Sequence, residues 1–191
     1  MFPGERVAQG AVAIPARPAG DRLARLYAAI NGPWHKRALI VFLAIVMGHW
    51  MEHLAQAFQL WVLHWPIERA RGLLGMPVPW LVKTEFLHWA LNLVILTGLV
   101  VLLPGFTGRA RTVWKAALVL QTWHFFEHML LFSQFLLGKN LLGKPVPTSI
   151  VQLWIPRVDL HLFYNGIVTV PIVLAAYLQY RRRGESAAVP V

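Results

Sequence analysis

Residues 48–59 read GHWMEHLAQAFQ, and residues 122–134 read TWHFFEHMLLFSQ. Each stretch places two histidines and one glutamate, in the pattern HxxEH, inside a long apolar run. Ionisable side chains within an apolar membrane segment are costly, so their default interpretation is functional. The two stretches therefore indicate both a membrane fold and a functional site inside it.

The composition agrees with a membrane protein. Of 191 residues, 57% are hydrophobic and 14% are charged, and the mean hydropathy is +0.53. These values are typical of integral membrane proteins rather than soluble domains. The net charge of +10 lies in flanks between apolar runs, which favours a membrane orientation signal over a nucleic-acid surface. Cysteine is absent, which excludes disulfides, thiolate metal sites and thiol catalysis.

Four apolar segments are long enough to cross about 30 Å of hydrocarbon. They are residues 38–63, 80–103, 113–137 and 157–180. We therefore predict an all-α, polytopic membrane protein with four transmembrane helices. Lys and Arg gather before the first span, between the second and third, and after the fourth, which predicts that both termini are cytoplasmic, as in a bacterial inner-membrane protein. Tryptophans near the span ends are expected to anchor at the membrane interface: Trp61, Trp65, Trp80, Trp114 and Trp154.

The segments outside the spans are short. Residues 1–37 are predicted to be a cytoplasmic tail that includes a basic amphipathic helix over residues 21–30, lying on the membrane surface. Residues 181–191 are predicted to be a second cytoplasmic tail. His35 and His64 lie at span ends, where solvation at the interface is expected.

The two halves of the chain repeat one order of motifs. HxxEH is followed by a glutamine six residues later, then by LLGxPVP, then by HxxxN. The first copy comprises residues 49–53, Gln59, residues 73–79 and His88 with Asn92; the second comprises residues 124–128, Gln134, residues 141–147 and His161 with Asn165. We predict two tandem two-helix repeats, residues 38–108 and 109–180, related by a pseudo-two-fold axis along the membrane normal.

The repeat brings the polar side chains to one level of the bundle. Positions i, i+3 and i+4 share one helix face, so each HxxEH presents two imidazoles and a carboxylate together. The predicted metal ligands are His49, Glu52, His53, His88, Asn92, His124, Glu127, His128, His161 and Asn165. Glu85 and Asp159 lie nearby, and their role as ligands is open, since Asp159 could instead cap the fourth helix. Gln56, Gln59 and Gln134 are expected to form hydrogen bonds between helices or to the metal ligands, rather than to bind metal themselves.

The donor set predicts the metal. Nitrogen and oxygen donors suit iron, zinc, copper(II) or manganese. Carboxylates and imidazoles in a four-helix bundle are the donors of di-iron proteins, so two iron ions are the preferred prediction, with copper or zinc as alternatives and haem as a weaker one. Glu52 and Glu127 would bridge the metals or accept protons as catalytic residues.

The predicted function follows from that site. We expect an oxidoreductase that acts on a lipophilic substrate such as a lipid, hydrocarbon or quinol. The alternatives are a haem- or chlorin-binding electron-transfer subunit, a copper- or zinc-handling membrane protein, and a structural subunit. Expected partners are membrane lipids, the lipophilic substrate or quinol, and a redox partner or larger membrane complex, but not nucleic acid.

Overall fold

The structure is a computed structural model, and it describes residues 19–187, with side chains for residues 21–181. Within that range the regular structure is helical and contains no strand. Six α-helices follow one another along the chain: α1 (Ala19–Ile30), α2 (His35–Trp61), α3 (Pro79–Lys83), α4 (Phe86–Leu102), α5 (Gly108–Leu137) and α6 (Arg157–Ala187). The predicted all-α class is therefore confirmed.

Among the described residues, three segments are long and apolar enough to cross a membrane: His35–Trp61, Phe86–Gly105 and Arg157–Arg181. α5 is not among these three, although its 30 residues make it longer than α4. Polar side chains such as Gln121, His124 and Glu127 interrupt its apolar run. Length and composition thus indicate a membrane protein with three candidate spans.

The second predicted span, 80–103, is not one continuous helix. α3 ends at Lys83, and α4 begins only at Phe86. Between them Glu85 has φ 60°, a left-handed conformation that an α-helix cannot continue through. α4 has 17 residues, which span about 26 Å at about 1.5 Å per residue.

The four long helices form a closed bundle. α5 packs against α6 and α4, while α2 packs against α6 and α4, so that α2 and α5 lie diagonally opposite. The connectors 62–85 and 138–156 lie at one end, which we call the loop end. The turn 103–107 and the start of α2 lie at the other, which we call the basic end because Lys36, Arg37 and Arg109 are there.

Apolar side chains fill the basic half of the bundle. This core joins all four long helices, and its members include Leu39, Phe42, Val46, Ile95, Leu99, Trp114 and Ile172. Trp114 is fully buried, and its indole N–H donates to the Leu99 carbonyl at 2.8 Å. The prediction that Trp114 anchors at the interface is therefore wrong, whereas Trp61, Trp80 and Trp154 are more than half exposed.

His35 closes the basic end. The sequence predicted a solvated interfacial side chain, but His35 is only 1% exposed. Its Nδ1 lies 3.1 Å from the Tyr180 hydroxyl, and its Nε2 lies 3.3 Å from the Leu102 carbonyl. The ring packs on Gly105, where a Cβ would collide with it. This end of the bundle is therefore closed by specific packing.

α1 agrees with the predicted helix over residues 21–30 and exposes apolar side chains, including Leu23, Leu26 and Tyr27. Residues 1–18, nearly half of the predicted N-terminal tail, lie outside the described residues. At the other end α6 continues to Ala187, so that helix occupies much of the segment predicted as a C-terminal tail.

Candidate metal centre

The six candidate histidines are brought together in the loop-end half of the bundle. Each is at most 5% exposed. They form two triplets, which we call the first and second histidine groups: His49, His53 and His88, and His124, His128 and His161.

The two groups have matching internal spacings. In the first, the ring centroids of His49 and His53 are 4.8 Å apart, and those of His53 and His88 are 5.0 Å apart. In the second, the corresponding distances are 4.6 Å, from His124 to His128, and 5.0 Å, from His128 to His161. α2 and α4 supply the first group, and α5 and α6 supply the second.

The two groups touch each other across the bundle. His53 and His161 have ring centroids 5.2 Å apart, and His88 and His128 are stacked at 5.9 Å. Imidazoles from four helices are therefore contiguous, and the cluster is one site rather than two separate polar contacts.

Several of these rings have no hydrogen-bond partner for a buried nitrogen. The unpartnered atoms are His49 Nδ1, His53 Nε2, His88 Nδ1, both ring nitrogens of His124, and His128 Nε2. A buried polar atom without a partner costs about 1–3 kcal/mol, so such a concentration calls for a ligand. His161 differs, because its Nδ1 lies 2.6 Å from the Arg157 carbonyl oxygen. An Nδ1–H bonded to a carbonyl is a common way to orient a metal-binding imidazole.

The ring spacings suit metal ligation, although the rings are not converged. Two imidazoles on one tetrahedral ion, with bonds of about 2 Å, have centroids about 5 Å apart. Within residues 21–181, however, no three histidine or carboxylate side chains meet as a preformed metal site. The cluster supplies donors at a suitable spacing, and ring rotation would be needed to place three of them on one ion.

Glu52 is directed to the first loop-end connector. Its carboxylate accepts hydrogen bonds from the backbone N–H groups of Leu73, at 2.8 Å, Leu74, at 3.0 Å, and Gly75, at 3.3 Å. Gly72, at φ +74°, packs so closely that a Cβ there would collide with the carboxylate. Both oxygens are occupied by the connector rather than by the histidines.

Glu127 makes the corresponding contacts with the second connector. It accepts from the Ser149 hydroxyl at 2.8 Å and from the Val151 N–H at 3.0 Å. The two predicted catalytic carboxylates therefore hold the connectors against the bundle, and the donor set that the cluster presents is imidazole alone.

The glutamines fasten the same connectors. Gln59 both donates to the Gly72 carbonyl and accepts from its N–H, at 3.0 and 2.9 Å. Gln134 does the same with Thr148, at 2.9 and 3.2 Å. Gln56 donates to the Ala70 carbonyl. These hydrogen bonds go to the connectors, whereas the sequence predicted bonds between helices or to the metal ligands.

The two asparagines of HxxxN bond to their own helices. Asn92 donates to the His88 carbonyl and Asn165 to the His161 carbonyl, both at 2.8 Å. The Asn92 amide also lies 3.5 Å from His49 Nε2, and its oxygen accepts from Gln121. Asn92 is thus placed to orient an imidazole.

Glu85 forms a bidentate ion pair with Arg157, which joins the first half of the chain to the second. Arg157 Nη1 donates to Glu85 Oε1 at 2.7 Å, and Nη2 donates to Oε2. Glu85 is buried, whereas Asp159 is exposed in the first turn of α6. Neither carboxylate joins the histidine cluster.

A cleft of about 720 Å³ reaches the cluster from the loop end. His53, His88 and His161 line it, together with the Glu85–Arg157 pair. The cluster is therefore buried within the bundle but adjoins a cavity that could admit a ligand.

Sequence reasoning missed Arg157, Ser149, Gln121 and Tyr164. Tyr164 packs its ring 4.6 Å from that of His124 and accepts a hydrogen bond from the Trp123 indole at 2.7 Å. None of the four belongs to a repeated motif, which was the signal that selected the other candidates.

No family model matches the chain, and neither a curated protein nor a solved structure is detectably similar to it.

Proposed function

We propose that this chain is an integral membrane metalloprotein whose two histidine groups together hold a dinuclear transition-metal centre. The observation that carries the proposal is the set of unpartnered, buried ring nitrogens in a contiguous cluster of six imidazoles. Buried polar atoms in a membrane protein need a partner from the protein or a bound ligand, and a transition-metal cation accepts imidazole nitrogen as a donor.

A four-span topology with two repeats is part of the proposal. Equal ring spacings in the two groups support it, as do the equivalent bonds of Asn92 and Asn165. The packing of α2 on α6 and of α4 on α5 is what a two-fold relation between the halves requires. With the basic end in the cytoplasm, the histidines lie toward the outer face.

The donor set bears on the identity of the metal. The case for iron rested on carboxylates beside imidazoles, and both carboxylates bind connectors instead. Imidazoles alone suit copper, zinc and iron alike. We propose a redox-active pair, iron or copper, in which each histidine group binds one ion.

The proposed activity is oxidation or reduction of a lipophilic substrate. A bound redox-active pair would supply one-electron chemistry, and the chain would supply orientation and exclusion of water. The Arg157 carbonyl orients His161, and Glu52 and Glu127 hold the two connectors against the bundle at the loop end.

The alternatives receive less support from the packing. The centroids of neighbouring histidine rings are 4.6–6.2 Å apart, which leaves no room for a macrocycle between the rings. A transport path would have to cross the basic half of the bundle, which Phe42, Leu99, Trp114 and their neighbours fill with apolar side chains.

Metal content tests the proposal. Protein purified in detergent should hold about two equivalents of iron or copper and lack a haem absorption band. The double variant His53→Asn, His128→Asn should lose the metal, while the exposed control His64→Asn should keep it. Asn suits the control because residue 64 has φ 53°, a conformation that Asn tolerates. A wild-type protein that folds without metal or chromophore would overturn the proposal.

A further inference from the structure

The loop-end cleft is larger than access to a metal ion requires. Its volume of about 720 Å³ lies within the range of about 300–1,000 Å³ that is typical of small-molecule sites. Its floor is formed by buried groups, including His53, His88 and His161. Its rim is formed by exposed side chains, including Ile67, Lys83 and Val146.

The charges in the cleft favour an anion. Glu85 is engaged by Arg157, so that pair contributes no net charge. The charged side chains that remain are Arg71 and Lys83 against Glu68, which leaves an excess of one positive charge. Gln152 adds an unpartnered side-chain N–H, since its Nε2 has no hydrogen-bond partner.

Apolar side chains also line the cleft. Ile67, Val82, Val146 and Val158 line it, and Ile67 and Val146 are each 59% exposed. A cleft that combines branched aliphatic side chains with one excess positive charge suits a ligand with an alkyl chain and one anionic head group. A small inorganic anion would leave this apolar surface uncovered.

We propose that the cleft binds a medium- or long-chain alkyl carboxylate, with its head at Arg71 and Lys83 and its chain along the valines toward the histidines. This inference deepens the proposed function, because it names the class of lipophilic substrate that the centre would act on. Binding itself depends on the cleft residues and requires no metal.

Photo-crosslinking tests the inference. The full chain, in nanodiscs of zwitterionic phosphatidylcholine, is labelled with a fatty acid that carries a diazirine on its alkyl chain, and the labelled peptides are mapped by mass spectrometry. We expect label on the segments that carry Val82, Val146 or Val158. Dodecanoate should displace the label at concentrations at least about tenfold lower than dodecanol, since the alcohol lacks the charge-assisted bonds.

Variants locate the head group. Arg71→Gln with Lys83→Gln should abolish the preference for the carboxylate, whereas the control Lys139→Gln with Lys144→Gln, on the other connector, should preserve it. Label spread over the lipid-facing surfaces without competition, or equal displacement by the alcohol, would overturn the inference. Label in the cleft of a protein that holds no metal would uphold it and defeat the proposed function.

Discussion

Glu52 and Glu127 occupy equivalent motif positions but differ in the donors that face them. Both oxygens of Glu52 accept hydrogen bonds only from backbone N–H groups, and such groups can donate but cannot accept. One oxygen of Glu127 faces the Ser149 hydroxyl, which can either donate or accept. An amide would therefore suit position 127 and not position 52.

Conversion of each glutamate to glutamine measures this difference. Glu52→Gln sets an amide N–H against a backbone N–H and should destabilise the fold by about 1–3 kcal/mol, whereas Glu127→Gln should be close to neutral. Thermal unfolding in detergent, followed by circular dichroism, gives the comparison. Both variants should retain their metal. Loss of metal from the folded Glu127→Gln protein would restore the role predicted from the sequence, that of a bridging ligand.

At the scale of the helices, the Glu85–Arg157 pair fixes how the start of α4 meets the start of α6. The Glu85 side chain is 6% exposed and that of Arg157 is 32% exposed. Arg157→Gln would leave a buried carboxylate without its partner. We expect the free energy of unfolding to fall by about 3 kcal/mol. This is the lower end of the range for breaking a buried ion pair, because Arg157 is partly solvated.

A double-mutant cycle checks this prediction. Glu85→Gln combined with Arg157→Gln should recover part of the stability lost in Arg157→Gln, because no charge is then left unpaired. Arg69→Gln, which alters an exposed arginine of the first connector, serves as the control and should change little. Strictly additive losses in the double variant would show that the two side chains act independently.

The helices were more predictable than their junctions. Long apolar runs predicted α2, α4 and α6, because burial of such a run in hydrocarbon leaves few alternatives to a helix. The break at Glu85 was not predicted, and the partner of its side chain, Arg157, is 72 residues away in the sequence. LLGxPVP was also misleading: Glu52 binds its copy at residues 73–75, whereas Glu127 binds Ser149 and Val151, beyond the second copy.

For the whole molecule, two equivalent groups imply two separable half-sites. His49→Asn with His53→Asn should leave about one equivalent of metal on the second group, and His124→Asn with His128→Asn should leave about one on the first. Elemental analysis of the folded variants measures this. Complete loss in either variant would mean that ligands from both groups share each ion, as the 5.2 Å contact of His53 with His161 would permit.

The site was predictable from the sequence as far as spacing and duplication determine it. HxxEH and HxxxN identified all six clustered histidines, because helical periodicity places such residues on one face. The same periodicity could not reveal that the glutamates turn toward connectors, since those backbone N–H groups come from irregular segments. It also gave no signal for Gln121, whose partner Asn92 lies on another helix.

The contacts that close the basic end affect the order in which the protein assembles during synthesis. Gln179 donates to the Gly105 carbonyl at 3.0 Å and accepts from the Thr107 N–H, and Tyr180 lies against His35. These contacts come from the far end of α6, which follows the other long helices along the chain. The same helix supplies His161 and the Arg157 carbonyl that orients it. A nascent chain that has inserted only α2 and α4 therefore carries three of the imidazoles but lacks Gln179 and Tyr180, and the centre is completed only once α6 has been made and packed.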